Sequence, residues 1–335
     1  MPSQRILVVA EDPGLRESLA AAVQRGGGIP VRAAGLGAIE GPQVAHRLVV
    51  FGWDGNLPAL RSLVSRLRES AQLVAVTPPR TLGDQVALLQ DVHCNHVLTS
   101  DERGFWLLQV TIAKFVSGDL FGIEKYLPPN APVALTRLRD FQGRKKAIDE
   151  VLEFASKAGV RAMVCNKIGS VCEELLMNAL YDAPVDADGV PVFENVDPSE
   201  RVKMSTPRPV SIRYAVHNGL FAVSVRDRFG RLEKRHILRF IEKCLRSGEQ
   251  IDRKVYGAGL GIYLIANAAT HYVVNIAPGV ATEVVCTFDC GTRTPLRALS
   301  IFLYPGGPTG AQAPQPGVPQ AVPVQLSGQQ KSGKG

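Results

Sequence analysis

The sequence has no apolar run that approaches the roughly 18 residues of a membrane-spanning segment. Its first residues, MPSQRILVVAED, contain an apolar stretch too short for a secretory signal, and acidic residues follow it directly. The six cysteines are scattered, with no CxxC pair and no spacing typical of a disulfide framework. We therefore expect a cytoplasmic protein without a membrane span.

Aromatic residues are also few, at 6% of the chain, and they do not alternate with the basic residues. The formal net charge is +7, but Lys and Arg are spread along the chain, with only small clusters such as Arg144-Lys145-Lys146. A nucleic-acid interface normally concentrates basic residues in one patch or motif. The sequence therefore favours a solvated basic surface, and nucleic acid is not among the expected partners.

Residues 1–120 alternate short apolar strands with amphipathic helices. Strands are predicted at RILVVA, IPVRAA, LVVF, LVAVT and HVLT, and helices at Pro13–Arg25, Leu57–Glu69, Leu82–Gln90 and Gly104–Val116. Such alternation is typical of a parallel sheet that is covered by helices on both faces. We predict a doubly wound, five-stranded α/β domain for this part of the chain.

This order of elements resembles the receiver domain of two-component response regulators. That family places an acidic pair after the first strand, a phosphoacceptor Asp after the third, Thr or Ser after the fourth and Lys after the fifth. The corresponding positions here hold Ala10 and Glu11, Gly52, Thr77 and Thr99. The resemblance therefore implies a receiver-like domain that lacks the phosphoacceptor and that binds a protein partner or localises the chain.

One carboxylate, Asp54, lies close enough along the chain to replace the missing acceptor. It follows the third strand by two residues within GWDGN, where an Asp-Gly pair favours a turn. One carboxylate of the metal-binding pair and the cationic partner are also absent, so a turn is the favoured interpretation of Asp54.

Two segments of low structural propensity flank the second half of the chain. Residues 121–142, which include YLPPNAP, are predicted to be a linker, and residues 306–335 a disordered tail without acids.

Residues 143–305 begin with two helical segments, and a strand pair follows that turns at His217-Asn218-Gly219. Two more helices, near 233–247 and 259–270, precede the strands YVVNIA and TEVVCTFDC. This order predicts an α+β sandwich with helices on one face of its sheet.

The stretch YGAGLGIYLI places glycines at positions 257, 259 and 261, directly before an apolar helical pattern. Phosphate groups need several backbone N–H donors within hydrogen-bond distance, and side chains would obstruct that approach. A Walker A loop is excluded because Ile262 and Tyr263 follow where Lys and Ser or Thr are required. The spacing also differs from a dinucleotide fingerprint, and a structural turn is the alternative.

Three other segments place polar residues where a binding site is expected. CEELLMNAL puts Glu174 and Asn178 four residues apart, on the same face of a helix. VSVRDRFG places Asp227 where an alternating apolar strand ends, and GVATEVVCTF places Thr282 at the beginning of the last predicted strand. Taken alone, Asn178 is more typical of an amide on a helix surface.

In their order along residues 145–290, these segments resemble the ATP-binding domain of the GHKL superfamily, which includes histidine kinases, anti-sigma kinases and gyrase-type ATPases. The resemblance implies ATP and Mg²⁺ as ligands. By position it assigns Asn178 to Mg²⁺, Glu174 to general-base catalysis, Asp227 to the adenine amine and Thr282 to the adenine pocket. The phosphate-binding residues that it implies are Gly257, Gly259, Leu260 and Gly261. Lys254 lies in the segment that would cover the nucleotide, where it could pair with the γ-phosphate or lie on a solvated surface.

Two features depart from that family. Phe229 stands where the family's Asp-x-Gly-x-Gly motif has its first glycine, which predicts a narrower adenine pocket. None of the six histidines lies in the helical context of a phosphoacceptor, so autophosphorylation on histidine is not expected.

The sequence thus predicts a cytoplasmic signalling regulator in which an ATP·Mg²⁺-binding domain controls a protein partner, such as a sigma or anti-sigma-type regulator. Phosphorylation of Ser or Thr on that partner is the catalytic form of this hypothesis. A non-catalytic, nucleotide-responsive scaffold and a phosphotransfer partner of a separate histidine-containing chain are the alternatives. A homodimer is left open.

Overall fold

The computed structural model describes residues 4–39, 46–68, 70–91, 93–193, 196–201, 203–246, 260–291 and 296–303. The tail predicted at 306–335 and most of the glycine-rich stretch lie outside these ranges. Within them, the chain is an α/β protein built on one large mixed sheet. No helix in the described ranges is both long enough and apolar enough to cross a membrane.

The first part of the chain alternates strands and helices, which confirms the predicted order. The elements are β1 (Arg5–Val9), α1 (Pro13–Arg25), β2 (Ile29–Ala33), β3 (Leu48–Gly52), α2 (Leu57–Val64), β4 (Gln72–Thr77), α3 (Leu82–Leu89), β5 (Cys94–Thr99) and α4 (Glu102–Ser117). Polar caps fix where helices begin, because Asp12, Thr81 and Asp101 accept backbone N–H groups of the first turns of α1, α3 and α4. Helix α2 ends before the predicted Glu69, which lies outside the described residues.

The second part combines helices with a mostly antiparallel set of strands. The elements are β6 (Ala134–Leu138), α5 (Phe141–Lys157), α6 (Ala162–Met177), α7 (Pro198–Arg201), β7 (Val210–His217), β8 (Leu220–Arg226), α8 (Lys234–Arg246), α9 (Leu260–Ala268), β9 (His271–Ala277), β10 (Ala281–Asp289) and β11 (Ala298–Leu303). Asn218 and Gly219 both have positive φ, at 46° and 75°, as a two-residue hairpin turn between β7 and β8 requires. The predicted hairpin is confirmed.

All of the named strands belong to one sheet with the order β2-β1-β3-β4-β5-β11-β9-β10-β8-β7-β6. The pairs among β1 to β5 are parallel, and the pairs from β9 to β6 are antiparallel. Strand β11 joins the two parts because it is antiparallel to β5 and parallel to β9. Neither β11 nor the continuous sheet that it creates was predicted from the sequence.

Two hydrophobic cores lie on opposite faces of this sheet. Alternate residues of β1 separate into them, with Leu7 and Val9 in one core and Ile6 and Val8 in the other. The first core is covered by α2, α3, α5, α6, α8 and α9, and the second by α1, α4 and residues 120–127. Residues 120–127 are called the strap below.

The segment predicted to be a linker, 121–142, holds ordered structure. Leu120, Ile123 and Tyr126 of the strap are buried in the second core, and β6 forms an edge of the sheet. The prolines that suggested a linker lie between these elements, where Ala131 N–H donates to the Pro128 carbonyl in a turn. The apolar residues on both sides of the turn gain burial against the sheet, which outweighs the local preference for irregular structure. Division of the chain into domains at this segment stays a prediction.

A buried polar network connects α4, the strap, β9 and β10. Lys114 Nζ donates to Tyr126 Oη at 2.9 Å and to Asn275 Oδ1 at 2.6 Å. Asn275 Nδ2 donates to Glu283 Oε2 at 3.0 Å, and that oxygen also accepts the Gly122 N–H at 2.8 Å. None of the four side chains is more than 2% exposed. Burial lowers the pKa of Lys114, while the charge of Glu283 opposes that shift.

We predict that Lys114→Met lowers the free energy of unfolding by about 3–5 kcal/mol, because the Asn275 amide oxygen and the Tyr126 hydroxyl lose their donor and the buried Glu283 charge loses a nearby opposite charge. Lys125→Met is the matched control, since Lys125 lies in the strap next to Tyr126 but forms a partly exposed ion pair with Asp119 at 2.6 Å. The control should cost at most about 1 kcal/mol. Urea unfolding of the full chain measures both, and equal small losses would contradict the assignment.

Candidate functional site

The carboxylate of Asp227 lies in the turn that follows β8. Its Oδ1 accepts the backbone N–H groups of Phe229 at 2.7 Å, Gly230 at 3.1 Å and Thr282 at 3.3 Å. The Asp227 N–H donates to the Thr282 carbonyl at 2.9 Å. The residue is 6% exposed, and burial raises the pKa of its carboxyl although the backbone donors act in the opposite direction. The structure thus brings two predicted site residues, Asp227 and Thr282, into direct contact.

The turn 227–230 packs tightly against the connection between β9 and β10. Gly230 has a φ of +65°, and a Cβ at this position would overlap the Ala277 carbonyl oxygen. Its carbonyl accepts the Gly279 N–H at 3.2 Å. Phe229, which departs from the family motif, is buried in this turn, and the Arg208 guanidinium lies 5.4 Å from its ring centre. The close packing explains why glycine is required at 230.

The hydroxyl of Thr282 is buried and has no hydrogen-bond partner among the described residues. It is near enough to Asp227 to lower the pKa of that carboxyl. A buried hydroxyl without a partner costs about 1–3 kcal/mol, so such groups are normally satisfied by protein, water or ligand. The Asp227–Thr282 pair therefore fits a ligand that offers a polar edge.

Helix α6 presents Glu174 to the first turn of α9. A Cβ at Gly261 would overlap the Glu174 Oε2 atom, so the carboxylate rests directly against the α9 backbone. Glu174 is half-buried, and its pKa is raised first by burial and then by the charges of Glu173 and Asp182. The Arg144 guanidinium acts in the opposite direction. The result is a carboxyl group with a higher proton affinity than an exposed glutamate.

Helix α6 continues into a π-helical turn, Asn178–Asp182. Asn178 is partly exposed and lies one turn after Glu174, so the two side chains share a face of the helix. The Arg231 guanidinium donates to the Asp182 carbonyl at 3.4 Å, which connects this turn to the loop after Asp227. Single π-helical turns occur frequently at functional sites. The contact places the end of α6 beside the Asp227 loop.

The predicted phosphate-binding residues are only partly described. Leu260 and Gly261 form the first turn of α9, whereas Lys254, Gly257 and Gly259 lie outside the described residues. Within the described ranges, no group of three or more His, Cys, Asp or Glu side chains is arranged to hold a metal ion. The roles of Asn178 in Mg²⁺ binding and of these five residues in phosphate binding stay predictions.

Two buried polar groups in this region were not predicted from the sequence. Arg144 is 7% exposed and pairs with Glu173, with 2.8 Å between its Nη1 and Glu173 Oε1. The Tyr181 hydroxyl is buried without a partner among the described residues. The sequence does indicate that Arg144 lies on the buried face of α5, because its spacing from Ala147, Val151 and Ala155 is helical.

Position 52, at the C-terminal end of β3, is a glycine and has no side chain that could accept a phosphoryl group. A Cβ at Gly52 would lie 2.8 Å from Leu15 Cδ2, so an apolar side chain stands where an acceptor would project. Asp54 accepts the Asn56 N–H at 2.8 Å, as its predicted turn requires. A cavity of about 170 Å³ remains at this end of the sheet, lined by Val9, Ala10, Glu11, Gly35, Leu36, Gly37, Gly52, Asp54, Asn56 and Ala59.

We predict that acetyl phosphate does not phosphorylate the full chain at this end of the sheet, because no carboxylate occupies position 52 and position 99 offers no cationic side chain. The measurement is incorporation of labelled phosphate with Mg²⁺ present. Acid-labile label that disappears in Asp54→Ala would show instead that Asp54 is a working acceptor.

Comparisons with known proteins do not assign the chain to a family. No family model matches it, and no curated protein matches it. Among solved structures, a chain in the crystal structure of the SiaB–SiaC complex from Pseudomonas aeruginosa matches with a TM-score of 0.34 and 12% identity, over 46% of this chain and 88% of that chain. Similarity at this level establishes neither the fold nor the function of the present chain.

Proposed function

We propose that the chain is a signalling regulator that binds ATP with Mg²⁺ beside α6, α9 and the 227–230 turn, and that this binding controls a protein partner. The proposal rests chiefly on the buried contact between Asp227 and Thr282, which brings a carboxylate and a hydroxyl together at the ends of β8 and β10. Under this proposal the second part of the chain is a GHKL-type ATP-binding domain and the first a receiver-like domain. The parallel order β2-β1-β3-β4-β5 agrees with the latter.

Asp227 and Thr282 would hold the adenine. The Asp227 carboxylate accepts a hydrogen bond from the exocyclic amine, and the Thr282 hydroxyl gains the partner that it lacks. A hydrogen bond between a charged acceptor and a neutral donor contributes about 1.5–3 kcal/mol. This pair would therefore supply much of the selectivity for adenine over a base without that amine.

The first turn of α9 would hold phosphate. Within the described helix, its backbone N–H groups have no partner, and the helix dipole favours an anion at this end. Gly261 keeps the backbone free of a side chain where Glu174 approaches it. The side-chain oxygen of Asn178 suits Mg²⁺, a cation that prefers oxygen ligands. Lys254, Gly257 and Gly259 complete the phosphate site in this proposal.

Bound ATP would supply the γ-phosphoryl group for transfer, with ADP as the leaving group. Glu174 accepts the proton of the attacking hydroxyl, from water or from Ser or Thr of the partner protein. A general base works best when its pKa lies near the working pH, and burial raises the pKa of Glu174 in that direction.

A non-catalytic scaffold is the second candidate, and the burial of Phe229 favours it. The side chain occupies the turn in which the related family has glycine, and it is 2% exposed. In a scaffold, nucleotide binding alone would change the affinity for the partner. In both candidate functions ATP binds at the same site, and they differ only in whether Glu174 acts as a general base.

We predict that Asp227→Asn weakens Mg·ATP binding roughly 10- to 150-fold, which corresponds to the loss of about 1.5–3 kcal/mol from a charge-assisted hydrogen bond. The asparagine oxygen can still accept the backbone N–H groups of the turn, so the fold is retained. Isothermal titration of the full chain measures the dissociation constant, with Asp54→Asn in an exposed turn as the control. Unchanged affinity in Asp227→Asn would rule out the adenine assignment.

We also predict that Glu174→Gln leaves ATP binding intact but lowers turnover by about 10²–10⁴-fold, the usual effect of losing a general base. In the parent chain, turnover falls as the pH drops through the raised pKa of Glu174, because only the ionised carboxylate accepts a proton. Asn178→Ala should instead weaken Mg²⁺-dependent binding. Absence of turnover in the parent with every candidate partner, together with intact ATP binding, would favour the scaffold.

A further inference from the structure

Helix α8 carries an excess of positive charge on its exposed side. Its 13 residues include five Lys or Arg and one Glu. The buried residues of the helix are Ile237, Leu238, Ile241 and Cys244. The exposed basic residues, which are called the α8 stripe below, are Arg235, Arg239, Lys243 and Arg246. They are three or four residues apart and therefore share one face of the helix.

Two glutamates lie among these cations without balancing them. Arg235 pairs with Glu233, and 76% of the arginine side chain stays exposed. Arg246 pairs with Glu242, and its side chain is 78% exposed. Ion pairs with this much exposure contribute little to stability, so they can be exchanged for contacts with another molecule. With four cations and two carboxylates, the surface keeps a net positive charge.

The α8 stripe does not stabilise the helix that carries it. Arg239 is four residues from both Arg235 and Lys243, and like charges at this spacing destabilise a helix. Arg235 also lies in the first turn, where the helix dipole disfavours a positive charge, and that turn contains no acidic residue. The stability of α8 therefore does not explain why these basic residues lie together.

The helices beside α8 do not compensate for its charge. Helices α3 and α9 pack against it. The described residues of α9 carry no charged side chain, and the one carboxylate of α3, Asp84, accepts a hydrogen bond from the Thr81 hydroxyl. Helix α5 differs, because acidic residues lie among its exposed basic ones. Its exposed or partly exposed charged residues are Lys145, Lys146, Asp149, Glu150, Glu153 and Lys157. The charges of α5 thus balance, whereas those of α8 do not.

Charge complementarity indicates the class of partner. Nucleic acid fits poorly, because the carboxylates of Glu233 and Glu242 lie among the cations and repel phosphate groups. Helix α8 cannot insert into a bilayer, since its apolar side is already buried within the protein. Residues 306–335 of the chain itself contain Lys but no acidic residue, so they cannot neutralise the α8 stripe. A protein surface can present both signs of charge at the required positions.

We propose that the α8 stripe is a docking surface for an acidic helical segment of a protein partner, whose carboxylates follow the spacing of the four cations. The inference deepens the proposed function, on which its link to ATP rests. Helix α8 leads from the turn at Asp227 to the glycine-rich stretch. A partner on the α8 stripe therefore contacts the helix that joins two predicted nucleotide-binding segments. Opposite charges also speed association, and salt weakens this attraction.

The test uses two alanine-based helical peptides as probes. One carries Glu at every fourth position along one face, and its isomer has the same composition with Glu distributed around the helix. We expect the full chain to bind the first peptide about tenfold more tightly than the isomer at low salt, because only the first can pair with several cations at once. Fluorescence anisotropy measures both affinities. Equal affinity for the two peptides, or no binding of either, overturns the inference.

Two matched variants each neutralise three exposed cations. The stripe variant combines Arg235→Gln, Arg239→Gln and Arg246→Gln. The α5 variant combines Lys145→Gln, Lys146→Gln and Lys157→Gln. The stripe variant should bind the first peptide about tenfold more weakly than the parent, and the α5 variant should stay within about twofold of it. Equal losses in both variants overturn the inference. Thermal unfolding establishes that both are folded, and Arg239→Gln alone replaces the stripe variant if that variant does not fold.

Further measurements separate other partners and the proposed function from this inference. A short DNA duplex and vesicles that contain phosphatidylserine are titrated under the same conditions, and tighter binding to either that depends on the α8 stripe overturns the choice of a protein partner. Binding of the first peptide is also measured with and without Mg·ATP. Binding that depends on the stripe but not on nucleotide supports the docking surface and contradicts control by ATP, so the two proposals can fail separately.

Discussion

A single buried ammonium group, that of Lys114, holds the centre of the molecule together. Its nitrogen bonds to Tyr126 of the strap and Asn275 of β9, and it lies 3.4 Å from the centre of the Phe302 ring on β11. Asn275 connects it to Glu283 of β10, so the positive and negative charges are linked through one amide. Because a buried charge is tolerated only when its partners are in place, the network fixes α4, the strap and three strands relative to one another.

The candidate site lies directly behind this network, on the other face of the sheet. Thr282 and Glu283 are adjacent in β10, and successive residues of a strand point to opposite faces. Arg226 and Asp227 are likewise adjacent at the end of β8, so their side chains also point to opposite faces. Arg226 pairs in register with Glu283. Any displacement of β10 caused by a ligand at Thr282 would therefore act on Glu283 and the strap. The two faces of the sheet are connected through the backbone of two strands.

The sequence predicted the elements whose signals are local. The strands β1 to β5, the Asn-Gly hairpin and the neighbouring positions of Glu174 and Asn178 follow from periodicity and turn chemistry. The contact between Asp227 and Thr282 follows from their places at strand ends, once β8 and β10 are known to pair. Lys254, Gly257 and Gly259 lie outside the described residues, so their predicted roles have not been tested.

The features that were missed depend on distant parts of the chain. The strap lies beside prolines that suggest a linker, and only the sheet that it covers makes its apolar residues a core. Arg144 belongs to a basic cluster in the sequence, whereas in the fold it points inward to Glu173. Strand β11 has neighbours, β5 and β9, whose identity no local pattern reveals.

The placement of β11 also determines the order in which the chain can fold. Ala298 pairs with Leu98, so the strand that completes the centre of the sheet is synthesised long after the strand beside it. Until β11 arrives, the edges of β5 and β9 that it later pairs are open, and open edges favour pairing with other chains. Pairing β11 with β5 closes a loop of about 200 residues, and the entropic cost of this closure precedes the gain from the backbone hydrogen bonds. This cost slows folding. A chain in which β5 and β9 form before β11 therefore has two unpaired strand edges, and insertion of β11 removes both at once.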